Sequence, residues 1–347
     1  MVQEFQIGGT SDAWHVLAAL GTIATAAVAS AALIIVLRPL LARYALARPN
    51  ARSSHVVPTP QGGGIAVMIA TLLAVGLAII QRPGIDLAEI APVLAAAVLL
   101  AVVGAVDDVT TTPPLPRLVM QFLAVAAVVS ALPGDLRIVP AVPLIAERAV
   151  LVVAGVWVVN LTNFMDGIDW MTVAEVVPIT AGAALLALMG ALPPSALVVA
   201  LALLGAIVGF APFNRPVANL FLGDVGSLPI GLLLFWLMVV LAGRGYAVAA
   251  LLLPLYYLAD ATITLLQRAA LGDNVTRAHR SHFYQLATAR GWSVPQVIAR
   301  VFAVNILLAA LALATAATQS APLQLAALVP GAGAVGWLLV WMRQGKR

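Results

Sequence analysis

Six aspartates lie at the ends of long apolar segments, and all six fall on the same predicted side of a membrane. The chain has only 14 acidic residues in 347, so this grouping uses a large part of its negative charge. Carboxylates gathered on one face can hold a divalent cation and, through it, a phosphorylated ligand. The six residues are Asp107, Asp108, Asp166, Asp169, Asp224 and Asp260.

The pair Asp107-Asp108 closes the third apolar segment. A helix that ends there places its negative macrodipole end beside the two carboxylates. Two adjacent anions in that position are costly unless a cation compensates them. The pair therefore predicts a catalytic or metal-binding function, with an ordinary charged membrane boundary as the alternative.

Asn160, Asn163 and Asp166 recur every three residues after the fifth apolar segment. In a helical turn this spacing groups the side chains near one face, where amides and a carboxylate can bind a nucleotide or a phosphate–metal unit. Asp169, three residues further on, has a simpler alternative as the N-cap of the sixth helix.

Asp224 lies in Asn219-Leu-Phe-Leu-Gly-Asp-Val-Gly-Ser227, where Gly223 and Gly226 would let the backbone approach a ligand. An anion is also favoured at a helix N-terminus without any further function. A second glycine-rich segment, Ser53 to Gly64, is a weak signal by itself. It predicts a tight entry into the second helix.

The largest loop on the same side contains Arg277-Ala-His-Arg-Ser-His-Phe-Tyr-Gln285. His279, Arg280 and His282 suit the oxygens of a phosphate, with a zinc site or a solvated basic loop as alternatives. The chain has no cysteine, and its carboxylates are hard ligands, so magnesium is the favoured metal. Asp260, a lone carboxylate at membrane depth, is expected to face the interior of the helix bundle.

The elements that carry these residues must be membrane helices, because 63% of the chain is hydrophobic and only 9% is charged. We predict an all-α, polytopic integral membrane protein with about 10–11 transmembrane helices and a single domain over 1–347. The fifth segment is short, so ten spans are an alternative to eleven. The predicted spans are 14–38, 63–80, 90–106, 117–132, 148–160, 172–191, 195–210, 228–243, 246–266, 297–316 and 322–342.

Basic residues predict the orientation. Of 18 Lys and Arg residues, only Arg82, Arg137, Arg148 and Arg244 fall in the loops opposite the six aspartates. The excess on the aspartate side places that side and the C-terminus in the cytoplasm, with the N-terminus outside. Because the basic residues follow the membrane loops, they indicate no nucleic-acid binding.

In their order and spacing the five motifs resemble the polyprenyl-phosphate N-acetylhexosamine-1-phosphate transferases. This family includes the bacterial enzyme that loads GlcNAc-1-phosphate onto undecaprenyl phosphate and the phospho-MurNAc-pentapeptide translocase. The resemblance extends from about Arg48 to about Gln285. It is carried by Pro58-Thr-Pro-Gln-Gly-Gly-Gly64, Asp107-Asp108, Asn160-Leu-Thr-Asn-Phe-Met-Asp-Gly167, Gly223-Asp-Val-Gly-Ser227 and His279-Arg-Ser-His282.

The resemblance implies a reaction in the bacterial inner membrane, facing the cytoplasm. Undecaprenyl phosphate attacks the β-phosphorus of a UDP-N-acetylamino sugar, and UMP leaves. Mg²⁺, with Mn²⁺ as a substitute, is bound by Asp224 with Asp108 nearby. The catalytic residues implied are Asp107, which deprotonates or positions the lipid phosphate, Asp108 and Asp166. Those implied for substrate binding are Asn160, Asn163, His279, Arg280, His282 and Gly63.

Three positions depart from the family pattern. Thr110 to Thr112 lack an acidic residue often found there, Arg117 stands where Lys is usual, and Trp170 replaces a glycine. The histidine segment looks more like that of O-antigen or exopolysaccharide initiators, so QuiNAc and FucNAc stand beside GlcNAc as donor sugars. The oligomeric state, a homodimer included, stays open.

The alternative function is a cation-coupled transporter, since carriers also combine many spans with buried carboxylates. Carriers place such charges near the bilayer midplane, often in two pseudo-symmetric halves. Here the charges lie in or beside loops of one face, and the sequence contains no internal repeat.

Overall fold

The computed structural model describes residues 10–47, 58–81, 85, 87–110, 112–274, 279–318 and 320–346, with side chains from residue 16 onward. These residues are almost entirely helical, which confirms the all-α prediction. The helices are α1 (Thr10–Tyr44), α2 (Gly63–Gln81), α3 (Leu87–Thr110), α4 (Pro114–Ala131), α5 (Leu144–Met165), α6 (Met171–Leu188), α7 (Pro194–Asn214), α8 (Asp224–Leu241), α9 (Ala247–Leu252), α10 (Leu255–Ala270), α11 (Phe283–Ala289), α12 (Val294–Ala316), α13 (Ala321–Ala326) and α14 (Leu328–Gln344). A kinked segment, Ala242–Tyr246, joins α8 to α9, with Gly245 at φ 95°.

By length and composition, 10 helical segments among the described residues could cross a membrane. This number lies within the predicted range of 10–11, and α10, with 16 residues, is too short to be included in it. The fifth span is not short as expected: α5 has 22 residues, because its helix continues through the polar segment up to Met165. Two short strands, β1 (Leu46–Ala47) and β2 (Thr59–Pro60), pair antiparallel beside the start of α2.

The chain reverses its direction at this kinked segment. Arg244 in this segment donates to the carbonyl of Ala191, which lies in the loop between α6 and α7, so the segment belongs to the end of the bundle opposite Asp224. The following α9 and α10 return to the Asp224 end and correspond to the predicted span 246–266. Pro254 separates them, because proline lacks the N–H that a continuous helix requires.

Helix α8 is the centre of the bundle, and nearly all its residues are buried. Two glycines let neighbouring helices approach its first turn at backbone distance. A methyl group added at Gly64 of α2 would lie 2.3 Å from Gly226, and one at Gly104 of α3 would lie 2.3 Å from the Asp224 carbonyl. Small residues permit such close contacts between membrane helices. As a result, α2 and α3 fix the position of Asp224.

Candidate active site

Asp108 holds the N-terminus of α8. Its Oδ1 accepts a hydrogen bond from the backbone N–H of Asp224 at 2.9 Å, and its Oδ2 accepts one from Val225 at 3.2 Å. The side chain of Gln61 also donates to it. A carboxylate in this position satisfies the unpaired N–H groups of the helix and complements its dipole. Both oxygens of this predicted catalytic and metal-binding residue are therefore engaged by the protein.

The carboxylates of Asp107 and Asp224 both contact the guanidinium of Arg117. Nη1 of Arg117 lies 2.8 Å from Asp107 Oδ2 and 3.1 Å from Asp224 Oδ2. The Thr112 N–H donates to Asp107 at 2.7 Å, and Asn163 donates to Asp224 Oδ1 at 2.7 Å. Sequence reasoning noted Arg117 only as a departure from a pattern. Its position in the first turn of α4, shortly after an aspartate pair, was the available signal.

The chemistry of these donors fits a hard divalent cation. Two carboxylates face one positive charge, and the neighbouring groups are amides rather than sulfur or imidazole ligands. Among the residues described, no three His, Asp or Glu side chains are gathered in the manner of a metal cluster. Asp224 and Asp107 are the residues that would hold magnesium, in exchange for Arg117. Binding by Asp108 stays a prediction.

The three polar residues of the Asn160–Asp166 segment contact different neighbours. Asn160 donates to Gln121 Oε1 at 2.6 Å, and Asn163 reaches Asp224. Asp166 follows the last residue of α5, and Thr172 of α6 donates to its carboxylate. Burial raises the pKa of Asp166 to about 7. The helix ends at Met165, so Asp166 does not continue the helical spacing of the two asparagines.

Asp169 is not the N-cap residue of α6, so that alternative is wrong. Trp170 holds the position in a left-handed conformation with φ 62°, while Asp169 accepts a hydrogen bond from the Ala218 N–H at 3.0 Å. The Trp170 N–H donates to Asn214 Oδ1 at 2.8 Å and its indole donates to the Ala211 carbonyl at 2.6 Å. A tryptophan thus adopts the backbone conformation that glycine takes most easily.

Asp260 is fully buried, which confirms that it faces the bundle interior. It accepts hydrogen bonds from the backbone N–H groups of Phe283 at 3.0 Å and Tyr284 at 3.3 Å. Nδ1 of His282 lies 3.3 Å from Oδ1 of Asp260. The Tyr284 hydroxyl donates to the Phe164 carbonyl at 2.9 Å. These contacts attach α11 and the preceding histidines to α10 and the end of α5.

The two histidines of the loop stack on each other, with ring centroids 4.9 Å apart. Ser281 Oγ lies 2.8 Å from His279 Nδ1, and burial lowers the pKa of His279 to about 4. His279 is therefore neutral at pH 7. Arg280 is exposed and is not among the residues that line the neighbouring cavity, and Arg277 lies outside the described residues.

Gly63 begins α2 against the 219–223 loop. Its N–H donates to the Phe221 carbonyl at 2.9 Å, and an added methyl would lie 2.7 Å from the Phe210 ring. Packing alone therefore requires glycine here, and contact with a substrate stays a prediction. The backbone that approaches Gly226 closely is that of Gly64, not a ligand. The part of the glycine-rich motif from Ser53 to Val57 lies outside the described residues.

A cavity of about 650 Å³ connects the cation-bridged carboxylates to the histidine loop. Its polar end brings together six of the predicted residues with Arg117 and two glutamines. They are Asp107, Asn160, Asn163, Asp224, His279, His282, Arg117, Gln121 and Gln285. Its other wall is apolar and comes from α4, α5 and α10. That wall includes Leu118, Val153, Val156, Trp157 and Leu265.

Carboxylates, a guanidinium and amides thus lie at one end of a largely apolar cavity in a bundle of membrane-length helices. Residues 90–242 match the model of glycosyl transferase family 4, which confirms the resemblance recognised in the sequence. The matched region contains the aspartates of α3, the asparagines of α5 and Asp224. Gly63 and the histidine loop lie outside it.

Relatives with this similarity include two proteins named decaprenyl-phosphate N-acetylglucosaminephosphotransferase. The protein from Mycobacterium leprae (strain TN) is 32% identical over 212 residues, which cover 55% of this chain and 52% of the relative. The protein from Mycolicibacterium smegmatis (strain ATCC 700084 / mc(2)155) is 33% identical over 220 residues, or 57% and 53% of the two chains. The matched part of this chain spans about half the length of these relatives.

Proposed function

We propose that the chain transfers an N-acetylamino-sugar 1-phosphate from a UDP-sugar to a polyprenyl phosphate and releases UMP. The observation that carries this proposal is the 650 Å³ cavity, whose polar end and apolar wall match the two parts of a lipid phosphate. The relatives support it, because their names contain both a polyprenyl phosphate and N-acetylglucosamine.

In this proposal the polyprenyl chain lies along the apolar wall of α4, α5 and α10, and its phosphate reaches Arg117. Phosphoryl transfer depends on positioning and on charge neutralisation more than on covalent chemistry by the protein. Arg117 bridges Asp107 and Asp224, so it can move its charge from the carboxylates to the entering phosphate. Asp107 then lies beside that phosphate and orients it or accepts its proton.

The donor's diphosphate lies between Asp224 and the histidine loop. Asn163 keeps the Asp224 carboxylate in place, and neutral His279 can donate a hydrogen bond to a phosphate oxygen. When bound by Asp224 and Asp107, magnesium would neutralise the charge that develops on the diphosphate. Asp108 acts indirectly in this arrangement, because it positions the first turn of α8 and with it Asp224.

The names of the relatives favour GlcNAc as the sugar and decaprenyl phosphate as the acceptor. Undecaprenyl phosphate and a 6-deoxy sugar such as QuiNAc or FucNAc are the alternatives that the sequence suggests. The product would initiate a cell-envelope glycan, such as O-antigen or exopolysaccharide. The protein would lie in the bacterial inner membrane with the cavity open to the cytoplasm.

The test is release of UMP by the purified, detergent-solubilised chain. We expect UMP only when a UDP-N-acetylamino sugar, a polyprenyl phosphate and Mg²⁺ are all present. Asp224→Asn should lower the rate by orders of magnitude. Asp273→Asn is the matched control, because Asp273 pairs with Arg268 outside the cavity and 53% of its side chain is exposed.

Two results would contradict the proposal. The first is UMP release at the full rate without a lipid acceptor, and the second is normal turnover by Asp224→Asn. A panel of UDP-sugars, each tested with decaprenyl and undecaprenyl phosphate, then identifies the preferred donor and acceptor.

A further inference from the structure

A second cavity, of about 540 Å³, lies at the end of the bundle opposite the candidate active site. It lies at the ends of membrane helices: Glu89 belongs to the first turn of α3, and Arg244 follows the last turn of α8. This is the level at which lipid headgroups meet protein. The charged lining consists of Glu89, Asp135 and Arg244, and the apolar lining includes Val128, Trp236 and Val240.

The charged groups of this outer cavity are held in place by neighbouring elements. Ser195, itself only 1% exposed, donates to the Glu89 carboxylate at 2.6 Å. Nε of Arg244 donates to the Ala191 carbonyl at 3.1 Å. A buried hydroxyl and a backbone carbonyl thus orient one acid and one guanidinium, which reduces the entropy lost when a ligand binds.

The loop that forms the opposite wall is also fixed. Arg148 donates to the Pro133 carbonyl at 2.6 Å, and the Ile138 N–H donates to the Glu147 carboxylate at 2.7 Å. On the other side, a methyl at Gly243 would lie 2.6 Å from Leu136, so glycine is needed for this contact. The cavity is therefore preformed, as ligand sites usually are.

We propose that the outer cavity binds the headgroup of a phospholipid that carries a primary amine, of the phosphatidylethanolamine type. Arg244 offers forked donors to the phosphate. Glu89 and Asp135 accept hydrogen bonds from the ammonium group. Val128, Trp236 and Val240 contact the start of the acyl chains.

The balance of charge selects this class of lipid. Two carboxylates and one guanidinium leave one negative charge in excess, and a zwitterionic headgroup adds no further net charge, because its phosphate pairs with Arg244 and its ammonium with the carboxylates. A phosphatidylglycerol headgroup has the phosphate but leaves both carboxylates facing an anion. A phosphatidylcholine headgroup has the positive charge, but its trimethylammonium has no N–H to donate. Phosphatidylglycerol therefore tests the contribution of charge, and phosphatidylcholine tests the contribution of hydrogen bonding.

The experiment is native mass spectrometry of the full-length, detergent-solubilised chain with these three lipids, matched in their acyl chains. Retention of phosphatidylethanolamine should exceed that of phosphatidylglycerol by roughly tenfold, since hydrogen bonds to charged groups distinguish them. Glu89→Gln should remove this preference, and Arg244→Gln should reduce the retention of all three lipids. Arg43→Gln, an exposed residue at the other end of the bundle, should change nothing.

Asp135→Asn gives a second test of the ammonium contact, because Asp135 is exposed and its replacement leaves the Glu89–Ser195 bond intact. It should reduce the preference for phosphatidylethanolamine even if Glu89→Gln impairs folding. Equal retention of the three lipids, a preference for phosphatidylglycerol, or a phosphatidylethanolamine preference that survives in Asp135→Asn and in a folded Glu89→Gln would each overturn the proposal.

Discussion

Two glycines of α2 should respond to the same substitution in opposite directions. A methyl at Gly64 would lie 2.3 Å from Gly226 of α8, about 1 Å inside ordinary contact at 3.4 Å, whereas a methyl at Gly76 meets nothing within 4 Å. The first turn of α8 is also held by Asp108, so the two helices cannot separate freely. Gly64→Ala should cost about 1–3 kcal/mol, while Gly76→Ala should stabilise α2 by up to about 1 kcal/mol.

Thermal unfolding in detergent and the rate of UMP release measure the two consequences. Gly64→Ala should lower the melting temperature and the turnover together, because it displaces Asp224 along with α8. Gly76→Ala should raise the melting temperature and leave turnover unchanged. Gly104→Ala provides a second close contact, 2.3 Å from the Asp224 carbonyl oxygen. If Gly64→Ala melted at or above the wild-type temperature, the close packing of α2 on α8 would be refuted.

Three further outcomes are expected. Arg117→Gln should leave Asp107 and Asp224 without the guanidinium that they share, so turnover should fall at least about tenfold. The affinity for Mg²⁺, followed with Mn²⁺ by electron paramagnetic resonance, should rise. Weaker metal binding would contradict this expectation. Asp108→Asn should lower stability by about 1–3 kcal/mol in thermal unfolding, because an amide N–H then faces the N–H groups of α8. A cysteine at Val217, which is 80% exposed, should resist an impermeant label outside intact cells, and labelling there would reverse the orientation.

The position of the candidate site could be predicted from the sequence because its residues lie where apolar segments end. Alternate helix ends share one face of a membrane, so Asp107, Asn163 and Asp224 had to lie at the same end of the bundle. The interior position of Asp260 followed from the cost of a lone carboxylate at membrane depth. These inferences needed only segment lengths and the sign of the charges.

The partners of each carboxylate could not be predicted in the same way. Asp108 accepts hydrogen bonds from the backbone of Asp224 and Val225. Every non-proline residue has a backbone N–H group, so the sequence does not show which of them bind a carboxylate. Arg117 joins two aspartates that lie 10 and 107 positions away in the chain. Such contacts depend on how α3, α4 and α8 pack, and the sequence pattern fixes only which helices exist.

Glycines gave a similar partial signal. The spacing of Gly223 and Gly226 indicated a close approach of the backbone but did not identify what approaches. At Gly226 the neighbour is Gly64, so the two glycine motifs form one contact between helices. Trp170 is a further case, because its left-handed conformation is held by Asn214 and Ala211. Neither partner could be paired with it from local sequence.

Asp166 should make stability depend on pH near neutrality. Burial raises its pKa from 3.8 to about 7, so between these values the folded chain holds a proton that the unfolded chain has released. Its contribution to the free energy of unfolding is therefore complete below about pH 4 and is lost as the pH rises through about 7. Asp166→Asn removes this dependence and keeps an oxygen that can accept the Thr172 hydrogen bond.

The measurement is the difference in melting temperature between wild type and Asp166→Asn from about pH 4 to about pH 8. Taking this difference cancels the contribution of His279, because it is the same in both proteins. The lowered pKa of His279, about 4, changes stability with pH in the opposite direction. The wild type should lose its advantage as the pH passes about 7. If the ionised carboxylate takes part in the reaction, kcat/KM should rise over the same interval, and Asp166→Asn should lack that rise. A difference in melting temperature that stays constant across this range would show that Asp166 does not hold its proton to neutrality.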